Sequence, residues 1–326
     1  MFGTLRLLLA IGVAVSHVGL TVLGHNPGVP SVVAFYLISG LVTSHLLDTQ
    51  FKAPSDYYWE RSLRLLPSYW GALAIAALIW ATMQPQNVYF LQRPPDWLDW
   101  LSNITIMPLN FYMWSGQDQF TLIPTSWSLG AELQFYLLAP WILMLGQRNR
   151  FIVILGSLVI WIAAQTDFLH TDWWGYRLLP GILFMFLMGA CVRRQEHGML
   201  GLAWLAAAVV LGAVLAGVIK AQPFNIETSV GVLLGIPALI LLSLLPRREW
   251  DDFLGRLAYP FFLLHLPVFW IWQARGYTPA DAVNHLPVLL SWLACTLVAS
   301  WLLFLVFELP LIRYRHSLRR KPRADD

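Results

Sequence analysis

Arg6 and His17 stand eleven residues apart in the first apolar stretch of this chain, and Glu132 lies in the fourth, within Trp127-Ser128-Leu129-Gly130-Ala131-Glu132. Ionisable side chains at membrane depth are costly and mark functional sites by default. Eleven residues at 3.6 per turn make nearly a whole number of turns. Arg6 and His17 therefore project from one helix face, about 16 Å apart along its axis. That puts Arg6 at one edge of a bilayer and His17 past its middle. An imidazole holds or releases a proton near neutral pH, which suits a general base; the bland reading is a histidine bridging two helices. Glu132 has a depth similar to that of His17, which brings a His17–Glu132 contact within reach. Its carboxylate then orients the imidazole and stabilises the protonated form, binds a substrate hydroxyl, or bridges helices. Ser128, Glu132 and Tyr136 share one face at i, i+4 spacing.

Other polar residues extend this set. Arg61 and Arg64 are three apart on one helix face, and converging guanidiniums at a membrane surface suit phosphate groups. Glu60 is spaced to pair with Arg64. The run Phe35 to Gly40 puts Ser39 and a glycine mid-span, where small residues let helices or a ligand approach. His265 is a second intramembrane histidine, placed to line a donor tunnel or to bridge helices. His45 falls near a span end, and Glu308-Leu309-Pro310 closes the last span, with Glu308 expected to pair with an arginine. Cys191 and Cys295 offer neither a disulfide framework nor metal-ligand spacing. No metal is expected.

The elements that must position these groups follow from composition. Of 326 residues, 58% are hydrophobic and only 12% charged, against about 25% charged in an ordinary globular domain. The first apolar stretch has almost no basic n-region and no A-x-A site, so it reads as a retained span. A span needs about 20 mostly apolar residues. Ten fit: 5–24, 29–47, 66–84, 127–145, 151–166, 178–193, 199–219, 229–245, 257–274 and 287–310. Positive charge tests that layout. Of the 21 Lys and Arg residues, only Arg93, Arg177, Lys220 and Arg275 fall on one side; the other 17 fall on the side of both termini. The expectation is an all-α integral membrane protein. It is a bundle of about ten transmembrane helices in a bacterial inner (cytoplasmic) membrane, with both termini cytoplasmic. Residues 1–312 form a single membrane domain and 313–326 a basic cytoplasmic tail against anionic lipid. The connection 85–126 is long and external, rich in Trp, Pro and Asn, and reads as a lid with a short helix near 97–107.

Taken in order, these motifs resemble acyltransferase family 3, membrane-bound acyltransferases that modify envelope sugars and some small molecules. Arg6-x10-His17 resembles the first-helix signature of that family, and Phe35 to Gly40 its Phe-x-x-Ser-Gly element. Arg61-Ser62-Leu63-Arg64-Leu65-Leu66-Pro67 resembles Arg-x-x-Arg-x-x-Pro, and Trp127 to Tyr136 resembles Trp-Ser-Leu-x-x-Glu-x-x-Phe-Tyr. Tyr259 to His265 and Glu308-x-Pro310 match its late elements. The resemblance implies an O-acyltransferase, foremost an O-acetyltransferase, using cytoplasmic acyl-CoA, with acetyl-CoA first among donors. It implies His17 as general base and Glu132 as its catalytic partner. Arg6, Arg61, Arg64 and His265 fall to the donor; Ser39, Trp127, Ser128 and Tyr136 fall to the acceptor. The acceptor is a hydroxyl of an envelope or exported carbohydrate, or another hydroxyl compound. No hydrolase-like domain follows the last span, so hand-off to an external transferase needs another chain.

Three other readings are weighed against this one. A transporter or flippase of a lipid-linked sugar explains many spans with buried charges, but predicts repeats and a broad charged cavity, and neither is visible. A lipid-linked glycosyltransferase wants acidic residues in its first external loop, and 25–28 has none. A regulatory relic without activity is at odds with intact His17, Glu132, Arg61 and Arg64. Membrane lipids are expected partners and nucleic acid is not; the oligomeric state stays open, a homodimer included.

Overall fold

The computed structural model describes residues 2–50, 53–85, 88–246 and 248–312. The basic tail 313–326, Lys52 and Arg247 lie outside these residues. Thirteen α-helices run in chain order: α1 Phe2–His17, α2 Gly28–Thr49, α3 Pro54–Met83, α4 Trp97–Thr105, α5 Tyr112–Ser115, α6 Ser126–Met144, α7 Gln147–Gln165, α8 Leu179–Arg194, α9 His197–Leu215, α10 Asn225–Ser243, α11 Glu249–Gln273, α12 Pro279–Asn284 and α13 Leu286–Leu303. Eight helical stretches among the described residues are long and apolar enough to cross a membrane, α2, α3, α7, α9, α10 and α11 with Trp173–Arg194 and Leu286–Ile312. The fold is an all-α membrane bundle. Of the ten expected spans, the remaining two coincide with α1, which has 16 residues, and with α6, which carries Ser126, Ser128, Glu132 and Gln134.

Four helices make the middle of the bundle. α1 runs along α11 and α2, and α2 runs along α8, α10 and α6. Two glycine crossings explain how backbones come this close in a chain dominated by large side chains. A Cβ on Gly40 of α2 would sit 1.7 Å from Phe186 O, and one on Gly189 of α8 would sit 1.8 Å from Leu37 O. The contact is reciprocal, and only glycine permits it from either side. The α1–α11 crossing works alike at Gly3, where a Cβ would stand 1.7 Å from Asp251 O. Close approach of this kind gives apolar helices dispersion contacts where lipid provides no hydrophobic drive. At that crossing the Asp251 carboxylate accepts from Gly3 N at 3.0 Å, Thr4 N at 2.9 Å and Thr4 Oγ1 at 2.7 Å. It satisfies first-turn N–H groups that a helix leaves unpaired, and its charge suits the helix N-terminus.

Three span boundaries differ from the sequence expectation, each for a local reason. The first helix stops at His17 rather than near residue 24, because Gly19, Leu23 and Gly24 turn with φ of 90°, 52° and 81°. His17 is therefore the last residue of α1. The third begins at Pro54, whose fixed φ suits a first-turn position, so Arg61 and Arg64 lie inside α3. The ninth begins at Glu249, which sets His265 sixteen residues, about 24 Å, into α11. His265 is thus far from the end where two turns of depth were expected.

Within 85–126, the described residues fold against α3 and α6. Arg93 grips Asp99 through two nitrogens at 2.6 and 2.8 Å. Asp96 and Asp99 cap α4 reciprocally, matching the helix expected near 97–107. Tyr69 of α3 donates to Asn103 O at 2.6 Å, and Asn110 donates to Trp127 O at 3.0 Å and Arg177 O at 3.1 Å. Burial pushes the Tyr112 phenol up to about 12, so it remains a protonated donor at any physiological pH.

Candidate active site

A cavity of about 830 Å³ opens at the end of the bundle where α1, α3 and α11 begin. Arg6, Arg64, Arg193 and Arg256 line it, with His45, Tyr259, Asp251, Asp252 and Glu308. The Asp251 carboxylate is engaged by α1, and Glu308 accepts from Ser68 at 3.1 Å with the charges of Arg64 and Arg256 acting on it. Arg64 and Arg256 line the same cavity as Glu308 but, among the described residues, form no ion pair with it, where the sequence led us to expect an arginine partner.

A narrower cavity of about 100 Å³ continues inward and shares Arg6, Val42, Arg64, Gly255 and Tyr259 with the first. At its centre is a polar knot. Ser39 on α2 donates to Glu132 Oε1 on α6 at 2.6 Å, and the Tyr136 hydroxyl donates to the same oxygen. Ser39 also lies 3.0 Å from Tyr136 Oη. The i, i+4 spacing read from the sequence thus delivers Glu132 and Tyr136 together, and Gly40 lets α2 settle close enough for Ser39 to join.

Arg61 is only 5% exposed. Its guanidinium lies 5.1 Å from the Tyr136 ring centroid and 5.7 Å from that of Tyr57, and its Nε is buried without a hydrogen-bond partner. Cation–π contact of this kind offsets part of the cost of burying a charge. Both arginines were expected at the surface; Arg64 is exposed, whereas α3 turns Arg61 inward onto the two tyrosines.

His17 and Glu132 are not in contact. The carboxylate is taken by Ser39 and Tyr136, while His17 Nδ1 faces Val13 O at 2.8 Å and His265 Nε2 at 3.3 Å. The expected similarity of depth fails because α1 ends at His17 while Glu132 sits two turns into α6.

His265 is wholly buried and lines neither cavity, which argues against contact with the donor. Its Nδ1 stands 3.3 Å from Phe261 O, so that nitrogen carries the proton. Its bare Nε2 then faces His17. Carbonyl Val13 O can only accept, so His17 Nδ1 also carries its proton, and the tautomer that follows leaves His17 Nε2 as a free lone pair. Trp292 Nε1 fixes the α11 backbone here by donating to His265 O at 2.8 Å.

Between the two sets stands an aromatic pair, Phe35 and Phe262, with ring centroids 5.8 Å apart. Both line the inner cavity, and Phe262 lies 6.2 Å from the His265 ring. Trp127 lines neither cavity; it faces the other end. Arg177 lies 4.2 Å over the Trp127 ring, with Tyr176 and Tyr112 at 5.2 and 5.4 Å, and donates to Asp172 at 2.7 Å.

Of the residues named from the sequence, one cavity thus gathers Arg6, Ser39, Arg61, Arg64, Ser128, Glu132 and Tyr136, and a second cluster pairs His17 with His265. Sequence reading missed Tyr259, Arg193, Arg256 and Arg177. The arginines were counted only as topology signals, and nothing in their spacing shows that α8 and α11 bring Arg193 and Arg256 to one cavity while Arg177 lands on Trp127. Among the described residues no group of three or more His, Cys, Asp or Glu is placed to hold a metal.

Residues 3–306 match the family profile described as an acyltransferase domain. An uncharacterised protein of Aquifex aeolicus (strain VF5) is 33% identical over 213 residues, covering 61% of this chain and 91% of the relative. No solved structure matches.

Proposed function

The chain belongs to acyltransferase family 3 and is a membrane acyltransferase, and from this premise we propose that it moves an acyl group, foremost acetyl, from cytoplasmic acyl-CoA to a hydroxyl of an envelope or exported carbohydrate. The observation that carries the reading is a site with two approaches. An arginine-lined cavity narrows from one end toward the Glu132 knot, and a histidine with a free Nε2 sits near the other, separated by one pair of phenylalanines.

In this reading the arginine end faces the cytoplasm, as the charge distribution asks. All ten spans cross a bacterial inner membrane, residues 1–312 act as one domain, and the tail 313–326 lies against anionic lipid. The pantetheine arm threads from the wide cavity past Arg64 and Arg6, carrying the thioester toward Phe35 and Phe262. The acceptor arrives over Trp127 and Arg177 from the end covered by 85–126. His17 Nε2 takes the hydroxyl proton as the oxygen attacks the thioester carbonyl carbon. The C–S bond then breaks, and the proton passes to the leaving sulfur to give free thiol. Val13 O and His265 Nε2 hold the His17 Nδ1 proton and favour the imidazolium, the role a carboxylate plays in other triads. Glu132, through Ser39 and Tyr136, sets the shape of the inner cavity and the position of the thioester.

Binding of acetyl-CoA to the purified protein in detergent tests the donor. Saturable binding supports the reading, and absence of binding in folded protein removes it. The two motif arginines should separate in that assay. Arg64→Ala is expected to weaken acetyl-CoA affinity about 10-fold, a lost charge-assisted contact, with melting temperature unchanged. Arg61→Ala is expected to lower thermal stability by about 1–2 kcal/mol through loss of its stacking on Tyr57 and Tyr136. Equal stability of the two variants would contradict the burial of Arg61. Glu132→Gln keeps an acceptor for Ser39 but withdraws the charge from the knot. Turnover should fall about 10-fold or more at unchanged donor affinity; unchanged turnover would leave Glu132 a purely structural bridge.

A further inference from the structure

Two groups of arginines stand out among the described residues. Arg93, Arg150, Arg177 and Arg194 are each paired, with Asp99, Glu196, Asp172 and Asp48 respectively. Arg6, Arg64, Arg193 and Arg256 make no hydrogen bond or ion pair to another described residue, and all four line the wide cavity. Arg193 and Arg194 are neighbours in sequence, yet Arg194 is tied to Asp48 at 2.7 Å and to Leu143 O at 3.0 Å while Arg193 is left facing the cavity. Unpaired guanidiniums converging from α1, α3, α8 and α11 form a multi-phosphate site by charge and by fork geometry. The volume of about 830 Å³ lies within the range of sites that enclose a cofactor-sized ligand.

The order of the arginines along the cavity carries more. Arg6 and Arg64 line both the wide and the inner cavity and so stand at the junction; Arg193 and Arg256 line the wide cavity alone. A donor whose thioester end points inward meets Arg64 and Arg6 first and Arg193 and Arg256 last. Resting on the acyl-CoA reading above, we propose that Arg193 and Arg256 form a subsite for the 3′-phosphate of the adenosine end, while Arg64 and Arg6 hold the pyrophosphate at the junction. Asp252, exposed at the same rim, bars a fully anionic surface and narrows the subsite to a phosphate that the two arginines reach together. These residues give the enzyme a means to prefer the phosphorylated nucleotide carrier over the bare pantetheine thioester, at a place no motif arginine occupies.

The test is a cycle between ligand and protein. Affinities of acetyl-CoA and of acetyl-3′-dephospho-CoA are measured on the full chain in phosphatidylcholine nanodiscs, for wild type, Arg193→Ala/Arg256→Ala and Arg64→Ala. Wild type is expected to lose about 10-fold or more when the 3′-phosphate is removed. The double variant should bind the two ligands alike, within about 2-fold. Arg64→Ala should bind both more weakly and keep the full preference for the 3′-phosphate. A preference undiminished in the double variant overturns the subsite, and so does its loss in Arg64→Ala alone. Failure of wild type to bind either ligand falls instead on the acyl-CoA reading. Repeating the series with phosphatidylglycerol distinguishes a lipid phosphate. If the anionic lipid abolishes the 3′-phosphate preference without competing for acetyl-CoA, the rim arginines serve headgroups and the nucleotide subsite is refuted.

Discussion

Alanine at His17 is expected to leave acetyl-CoA binding intact and to abolish transfer. The imidazole lines neither cavity, so its removal takes nothing from the donor. It is partly buried at the last turn of α1, ahead of a turn in which Gly19, Leu23 and Gly24 take positive φ, so folding should tolerate the change. General acid–base catalysis contributes about 10²–10⁴-fold, and the loss should fall in that range. The proposed cause is specific: Val13 O and His265 commit the Nδ1 proton and leave Nε2 as a free lone pair. The measurement is passage of label from acetyl-CoA into the carbohydrate fraction of membrane vesicles, alongside donor binding to the same preparation. Transfer at the wild-type rate in the variant would remove His17 from the chemistry. Loss of donor binding together with transfer would place the histidine in the donor site.

The second large effect concerns folding. Gly189→Ala adds one methyl group, but its carbon would lie 1.8 Å from Leu37 O and 2.6 Å from Leu41 N, backbone atoms that cannot swing aside. α2 and α8 must then separate, which breaks the packing that brings Ser39 to Glu132. Overpacking a tight interior costs about 1–3 kcal/mol or more, and here the strained atoms are main chain, so the upper end is expected. Gly201→Ala is the control. It lies in α9 with nothing within 4 Å of the added carbon, and alanine in place of glycine inside a helix gains about 0.5–1 kcal/mol. Melting in detergent should fall sharply for Gly189→Ala and stay level or rise for Gly201→Ala. A wild-type melting temperature for the α8 variant would mean that the crossing is looser than drawn.

Helix positions were legible because long apolar runs dictate them: among the described residues eight helical stretches are long and apolar enough to cross a membrane, and each falls on one of the ten runs. Their ends were less so. α1 stops at His17 through positive φ at Gly19, which hydropathy does not register, and that stop leaves the histidine at the end of its helix, where about two further turns were expected. The Ser39–Glu132–Tyr136 knot was half legible: i, i+4 spacing joins Glu132 and Tyr136, whereas Ser39 arrives through a glycine crossing visible only in three dimensions. Arg61 and Arg64 look equivalent at three-residue spacing, yet one faces Tyr57 and Tyr136 and the other a cavity, because which side of α3 is buried depends on its neighbours. His265 was open between lining a donor tunnel and bridging helices, and spacing along the chain does not choose between them. The partner it has, His17, is 248 positions away.

The phenylalanine pair between the two approaches also has an electrical meaning. A wet vestibule that reaches deep into a membrane protein carries the potential of its own compartment inward with it. The membrane voltage, worth about 2.3 kcal/mol per elementary charge at 100 mV, then drops across what remains dry. In this bundle the dry part includes Phe35, Phe262 and the histidine pair beside them. The enzyme can thus hold a hole large enough for a nucleotide without becoming an ion leak. In the proposed transfer, the proton that leaves the hydroxyl for His17 and ends on the sulfur moves where the field is steepest.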